Sequence, residues 1–70
     1  DWKPMRPVGV GVNEMRIRVE GEHRMLYIAK FSEAIYVLHA FTKKTQATSL
    51  HDVSIARQRY RDMIAQRGRK

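Results

Sequence analysis

The sequence predicts an α+β domain: an antiparallel three-stranded meander followed by one C-terminal helix. Three patterns carry that expectation. Residues 14–19, E-M-R-I-R-V, alternate charged and apolar side chains, as a half-buried strand does. Ala34 to Gln46, A-I-Y-V-L-H-A-F-T-K-K-T-Q, is the most apolar run in the chain and is rich in β-branched and aromatic residues. Val53, Ala56, Tyr60, Met63 and Ile64 then recur at three-and-four spacing, which marks the buried stripe of a helix.

Residues 1–12 hold both prolines, Pro4 and Pro7, and the Gly9 and Gly11 pair, so they read as an irregular connector. Trp2 and Met5 are expected to dock on the core as an apolar lid. G-V-G-V lacks the preceding strand and the Lys-Ser/Thr ending of a phosphate loop and reads as structural. The sheet spans residues 13–42. In its first strand Met15, Ile17 and Val19 share the face expected to be buried, and Glu14, Arg16 and Arg18 share the polar face. Glu20-Gly21 makes a tight turn, with Gly21 free to take a positive φ. His23 to Lys30 is the second strand, with Met25, Tyr27 and Ala29 on one side and Arg24, Leu26, Ile28 and Lys30 on the other.

Phe31-Ser32-Glu33 leads into the third strand. That run shows no clean alternation, so it reads as a central strand covered on both sides, delivering Lys43 and Lys44 to solvent. Thr45 to Thr48 is a polar link. Ser49 and Asp52 form an S-x-x-D capping box that starts a helix over residues 49–66, stopped near Gly68. Residues 67–70 are a basic tail. One helix cannot cover both faces of three strands, and the sheet is apolar on both sides at Leu26, Ile28, Tyr36 and Leu38. Cover is expected from preceding helices, from a partner protein or from self-association through the uncovered face.

Seventy residues make one small domain, and a chain of this length buries only about 60% of its unfolded surface. It has no cysteine, so neither a disulfide nor a thiolate metal site is available, which fits a reducing, cytoplasmic setting. No apolar run approaches the roughly 20 residues of a membrane span. Fourteen Lys plus Arg stand against seven acids, a net charge of +7 that favours a polyanionic partner: RNA, DNA or an acidic protein. The chain opens at Asp1 without an initiator Met, and D-W-K-P-M reads as a junction following an earlier segment.

M-R-I-R-V, H-R-M-L-Y-I-A-K-F and above all V-L-H-A-F-T-K-K-T-Q, followed by a basic helix, resemble the phage-derived Gp49-like branch of the RelE/HigB toxin superfamily. The resemblance runs from residue 1 to about residue 66. It implies a small α+β fold that usually begins with a pair of helices wrapping the sheet, absent here. It also implies a bacterial toxin of a type II toxin–antitoxin pair that enters the ribosome and cuts mRNA. The implied partners are a helix-turn-helix antitoxin, the ribosome and mRNA, with no membrane. ParE-type relatives share the fold but poison gyrase, so the fold alone leaves the target open.

RNA cleavage without a metal needs a 2′-OH that loses its proton, stabilisation of a phosphorane-like charge, and a proton for the departing 5′-oxygen. The sequence has no carboxylate or His/Asp set at metal-ligand spacing, so no cofactor is expected. Arg16, Arg18 and Arg24 are the candidates for phosphate and transition-state contacts, because guanidinium clamps phosphate but stays protonated. A meander lays the end of strand three beside the start of strand two, which would bring Lys43 or Lys44 to Arg24. A lysine among cations has its pKa lowered, so these two are the proton-transfer candidates. The outward face of strand one carries arginines where several superfamily members carry lysines, and His23 stands where an aromatic is common. Lys30, His51, Arg57 and Arg61 are candidate RNA contacts, with a solvated surface as the alternative for His51 and the helix arginines. His39 reads as a buried structural histidine, and Tyr27 and Tyr60 as packing residues. A non-catalytic basic module that docks nucleic acid or protein remains the competing reading.

Overall fold

The computed structural model describes residues 2–44 and 46–69. Asp1 of the opening junction, Thr45 of the polar link and K-K-T-Q element, and Lys70 of the basic tail lie outside the described residues. Four strands and one helix follow in order: β1 (Trp2–Pro4), β2 (Val12–Arg18), β3 (Glu22–Ile28), β4 (Tyr36–Thr42) and α1 (Leu50–Arg67). The strands form one antiparallel sheet in the order β1-β2-β3-β4. The architecture is thus α+β with four strands rather than three. The additional strand, β1, lies within the segment read as an irregular connector. It is only three residues long and ends in Pro4, and a proline without an N–H is tolerated on such an edge.

The alternation in β2 places side chains correctly in pairs but on the opposite sides from those expected. Val12 and Glu14 are buried, Val12 against α1 and Glu14 against Arg24 and the β4–α1 link, while Ile17 is 37% and Val19 66% exposed. Periodicity shows which residues share a face and is silent about which face is covered. The helix settles it by packing against the side that carries Val12, Leu26, Ile28 and Leu38, where Leu26 and Ile28 have no exposed surface. The other side, with Trp2, Met15, Ile17, Tyr27 and Val37, has no cover among the described residues, and Trp2 is 61% exposed. Uncovered apolar surface was expected, but Leu26, Ile28 and Leu38 are not part of it.

The third expected strand, now β4, is an edge strand rather than a central one. Its register shifts opposite Leu26 and Tyr27, which pair with His39 and Val37 and leave Leu38 as an extra residue. This bulge breaks the period of two. Leu38 is buried and Val37 is 56% exposed, so the absence of alternation reflects a bulge and not burial on both sides.

The loop between β1 and β2 folds under the helix. Val8 is buried in the core and Met5 packs against it, whereas Trp2 does not dock there. Gly9 lets this loop meet α1: a Cβ there would lie 2.7 Å from the Tyr60 ring, whose hydroxyl donates to the Val10 carbonyl at 3.2 Å. The helix starts as its capping box requires, with the Asp52 N–H donating to Ser49 Oγ at 3.1 Å. Val53, Ala56 and Met63 are its buried residues and Tyr60 packs beside them, but Ile64 is exposed. At the far end Arg67 grips Glu33 through Nε at 2.6 Å and Nη2 at 3.2 Å and covers the Phe31 ring at 3.5 Å. This clamp fastens the last turn of α1 to the β3–β4 loop.

Two outcomes follow. Glu20 and Gly21 both have positive φ, 48° and 116°, in the β2–β3 turn. Glu20 carries the cost of a left-handed backbone, roughly 1 kcal/mol, and Glu20→Asn should recover about half of it. The expected gain of about 0.5 kcal/mol is a rise of about 2–4 °C in a calorimetric melt. The second concerns Glu33, whose pKa the Arg67 hydrogen bond holds down to about 2 from an ordinary 4.5. A depressed carboxylate contributes stability above its unfolded pKa and loses it as pH falls through the folded one. Stability should therefore decline between about pH 4.5 and 2. Glu33→Gln should flatten that part of a pH series of melting temperatures.

Candidate functional site

The helix-side face of the sheet divides in two. Leu26, Ile28 and Leu38 form an apolar half under α1. Beyond the start of the helix the same face carries the row Arg16, Arg24 and Phe41, paired across three strands. Lys43 continues the ladder, with its backbone N–H donating to the Glu22 carbonyl at 2.9 Å. The meander therefore brings Arg24 beside the end of β4.

Arg24 is 4% exposed, and its charge is balanced by carboxylates on both sides. Its Nε lies 3.4 Å from Glu14 Oε1, and its Nη2 donates to Glu22 Oε2 at 3.0 Å. Glu14, 3% exposed, also lies 3.9 Å from Lys3 Nζ and accepts a hydrogen bond from the Thr48 hydroxyl. Arg24 Nη1 is buried without a hydrogen-bond partner among the described residues. A small cleft of about 40 Å³, lined by Trp2, Lys3, Glu14, Arg16 and Arg24, opens beside this cluster.

Lys43 is half-buried and Lys44 is exposed. Both line a neighbouring cavity of about 270 Å³ with Phe41, Thr42, Ala47, Ser49 and Asp52. The Lys43 amine is pushed below its ordinary pKa by burial first and then by the Arg24 and Lys3 charges, with Glu14 and Glu22 acting the other way. The amine therefore gives up its proton more readily than a solvated lysine does. Arg16 and Arg18 both reach toward Glu22 Oε1, at 3.9 and 3.7 Å, and Arg18 is exposed.

The cavity is walled by a tie between sheet and helix. His39 Nε2 donates to Asp52 Oδ1 at 2.8 Å, Ser49 Oγ donates to Asp52 Oδ2 at 2.6 Å, and the His39 ring stacks on Phe41 at 5.0 Å. Burial pushes the Asp52 carboxyl up. The Ser49 and His39 hydrogen bonds and the His39 and His51 charges outweigh it and hold the group below its usual range. His39 is thus the structural histidine its place in the strand implied. Exposed His51 sits beside this tie in the first helical turn.

Other candidates stand apart. Lys30 lies beyond the far end of β3, over the Phe31 ring at 5.4 Å. Arg57 donates to the Pro7 carbonyl at 2.5 Å, and exposed Arg61 contacts Gln58 at 3.5 Å, roughly 16 Å along the helix from its start. His23 is on the opposite sheet face from Arg24, bound to the Val19 carbonyl and facing Thr42. Tyr27 belongs to the uncovered face. Glu14, Glu22, Phe41 and Thr48 are site residues that composition did not single out. The hairpin register does reveal Glu14: with Arg18 opposite Glu22, Glu14 falls diagonal to Arg24. Among the described residues no group of three or more His, Cys, Asp or Glu is placed to hold a metal ion, and no helix is long and apolar enough to cross a membrane.

Compared with known proteins, residues 1–61 match the family model described as phage derived protein Gp49-like (DUF891). No curated protein and no solved structure matches the chain.

The electrostatics of the cluster are directly testable. Arg24→Gln removes a cation facing Lys43, so the Lys43 titration midpoint should rise toward its ordinary 10.5 in side-chain NMR, while burial keeps it from returning fully. An unchanged midpoint would separate the two residues electrostatically.

Proposed function

The chain belongs to the phage-derived Gp49-like family, and from that premise we propose that it is the toxin of a type II toxin–antitoxin pair, a metal-independent endoribonuclease that cuts mRNA on the ribosome. The observation that carries the reading is the juxtaposition of the buried Arg24 with a half-buried, pKa-lowered Lys43 on the half of the sheet face beyond the start of α1. Stacked cations without a use would be an electrostatic liability. Here they stand beside two open cavities.

In this reading Lys43, in its neutral form, takes the proton from a ribose 2′-OH. The 2′-oxygen attacks the adjacent phosphorus and the bond to the 5′-oxygen breaks. Arg24 and Arg16 stabilise the charge that builds on the phosphorane oxygens. Lys44, which lines the same cavity as Lys43, returns a proton to the departing 5′-oxygen. The products are a 2′,3′-cyclic phosphate and a 5′-hydroxyl. Exposed Arg18 and His51 at the rim contact the flanking backbone. Codon-scale placement comes from the ribosome, and a helix-turn-helix antitoxin blocks the cationic half-face. The setting is the cytoplasm, where both partners are found.

The test is 5′-end mapping of an mRNA in a reconstituted translation reaction, with and without ribosomes. The expected result is ribosome-dependent cuts within codons. Arg24→Gln and Lys43→Met, each checked for an intact fold by circular dichroism, should each lower cleavage by about 10²–10³-fold. Salt-sensitive RNA binding with no cut product would replace the catalytic reading with the docking module. DNA damage in place of translation arrest would point to gyrase.

A further inference from the structure

Glu14 is the buried titratable group that the proposed chemistry leaves unused. A carboxylate 3% exposed is costly to hold unless its partners need it. Its contacts are specific. One oxygen faces Arg24 Nε at 3.4 Å and Lys3 Nζ at 3.9 Å, and the other accepts from the Thr48 hydroxyl. Thr48 belongs to the link between β4 and α1, close in sequence to the cavity-lining Ala47 and Ser49. The carboxylate therefore joins β1, β2, β3 and that link at one point.

The Arg24 guanidinium is held along two edges, by Glu14 at Nε and by Glu22 at Nη2. Neither Nε nor Nη1 has a hydrogen-bond partner among the described residues: Nε faces the Glu14 carboxylate as an ion pair, and Nη1 is the one left to an incoming acceptor. A guanidinium held by one carboxylate can swing about that contact, whereas one held along two edges cannot. Buried donors in folded proteins are rarely left unpaired, so one beside a cleft can serve an acceptor oxygen brought by a ligand.

We propose that Glu14 is a positioning residue, whose carboxylate, held by Thr48, fixes Arg24 with Nη1 free for a phosphate oxygen and keeps the charge around Lys43 in balance. The proposal rests on the reading of Arg24 and Lys43 as the working pair. It assigns Glu14 no contact with substrate. The groups acting on Lys43 are Arg24 and Glu22 from β3, Glu14 from β2 and Lys3 from β1, with Lys44 and Asp52 of α1 lining the same cavity, and of the first four Glu14 and Glu22 favour its charged form. Loss of the Glu14 charge should therefore make Lys43 easier to deprotonate while loosening Arg24.

The experiment compares Glu14→Gln with the wild-type chain by thermal melting, side-chain NMR and mRNA cleavage across pH. The expected result is a folded variant whose Lys43 midpoint moves to lower pH. The alkaline-going rise of its cleavage profile should move in the same direction, and kcat should fall at least tenfold with KM nearly unchanged. A lower melting temperature with kcat, profile and Lys43 midpoint all at wild-type values would make Glu14 merely structural and overturn the proposal. If the wild-type chain does not cut mRNA, the endonuclease reading fails by itself, and the Lys43 midpoint still decides whether Glu14 sets its charge. Should Glu14→Gln not fold, Thr48→Val decides, because it releases the carboxylate and leaves every charge in place. Faster solvent exchange at the Arg24 Nε–H, by tenfold or more, supports the proposal, and wild-type exchange overturns it.

Discussion

Placing Arg24 under the cationic end of the sheet costs several kcal/mol of desolvation unless a carboxylate shares the site. Glu14 shares it, and the arrangement of the whole helix-side face follows from that pairing. Two unit charges 4 Å apart interact by about 4 kcal/mol at an effective dielectric of 20. Lys3, Arg16, Arg24 and Lys43 could not converge without an anion among them. Glu22 supplies a second anion at the rim, contacting Arg16, Arg18 and Arg24. The cluster is thus a balanced network in which two carboxylates hold cations in place without neutralising them all.

The apolar half of the same face makes the network possible by ending where it does. Leu26, packed with Val53 and Ala56 of α1, and Ile28 have no exposed surface, and truncating either would cost about 2–5 kcal/mol, much of a small domain's stability. The helix cannot extend over the cationic half, because Ser49 caps it and Asp52 turns its first carboxylate to His39. That tie crosses from helix to the bulged part of β4, and Arg59 reinforces it by donating to the Leu38 carbonyl at 3.0 Å. The bulge thus has a role. It sets Leu38 into the core while His39 reaches the helix cap, which regular alternation would not allow.

Much of this was legible in the sequence. The E-M-R-I-R-V alternation, the Glu20-Gly21 turn and the Ser49–Asp52 box located three strands and the helix, and the hairpin logic brought Lys43 to Arg24. The misreadings have physical causes. Alternation carries no sign, so Met15, Ile17 and Val19 looked like core, although a more buried set began two residues before Glu14 at Val12. The run from Ala34 looked doubly buried because a bulge erases periodicity. The short β1 escaped notice because Pro4 argues against a strand anywhere but on an edge. Glu14 read simply as part of the strand's polar face because its burial depends on Arg24 and Thr48, which are distant in sequence and near only through the register and the β4–α1 link.

The two faces of the sheet also differ in what they can bind, and the difference is chemical. The uncovered side presents Trp2, Ile17 and Val37 with few charges, so it can be satisfied only by apolar contact. The helix side presents cations whose positions are set by carboxylates, so it favours a ligand that brings negative charge to fixed points. A polyanion that merely sought charge would find it in the exposed Arg18, Lys44 and Arg61 as well. Among the described residues, Arg24 and Lys43 alone bring a buried, carboxylate-held guanidinium beside a half-buried lysine displaced from its ordinary pKa. Net charge favours a polyanion in general. In the proposed reading, the buried Arg24 and half-buried Lys43 are where contact becomes chemistry, since a proton can be moved there and the resulting charge held.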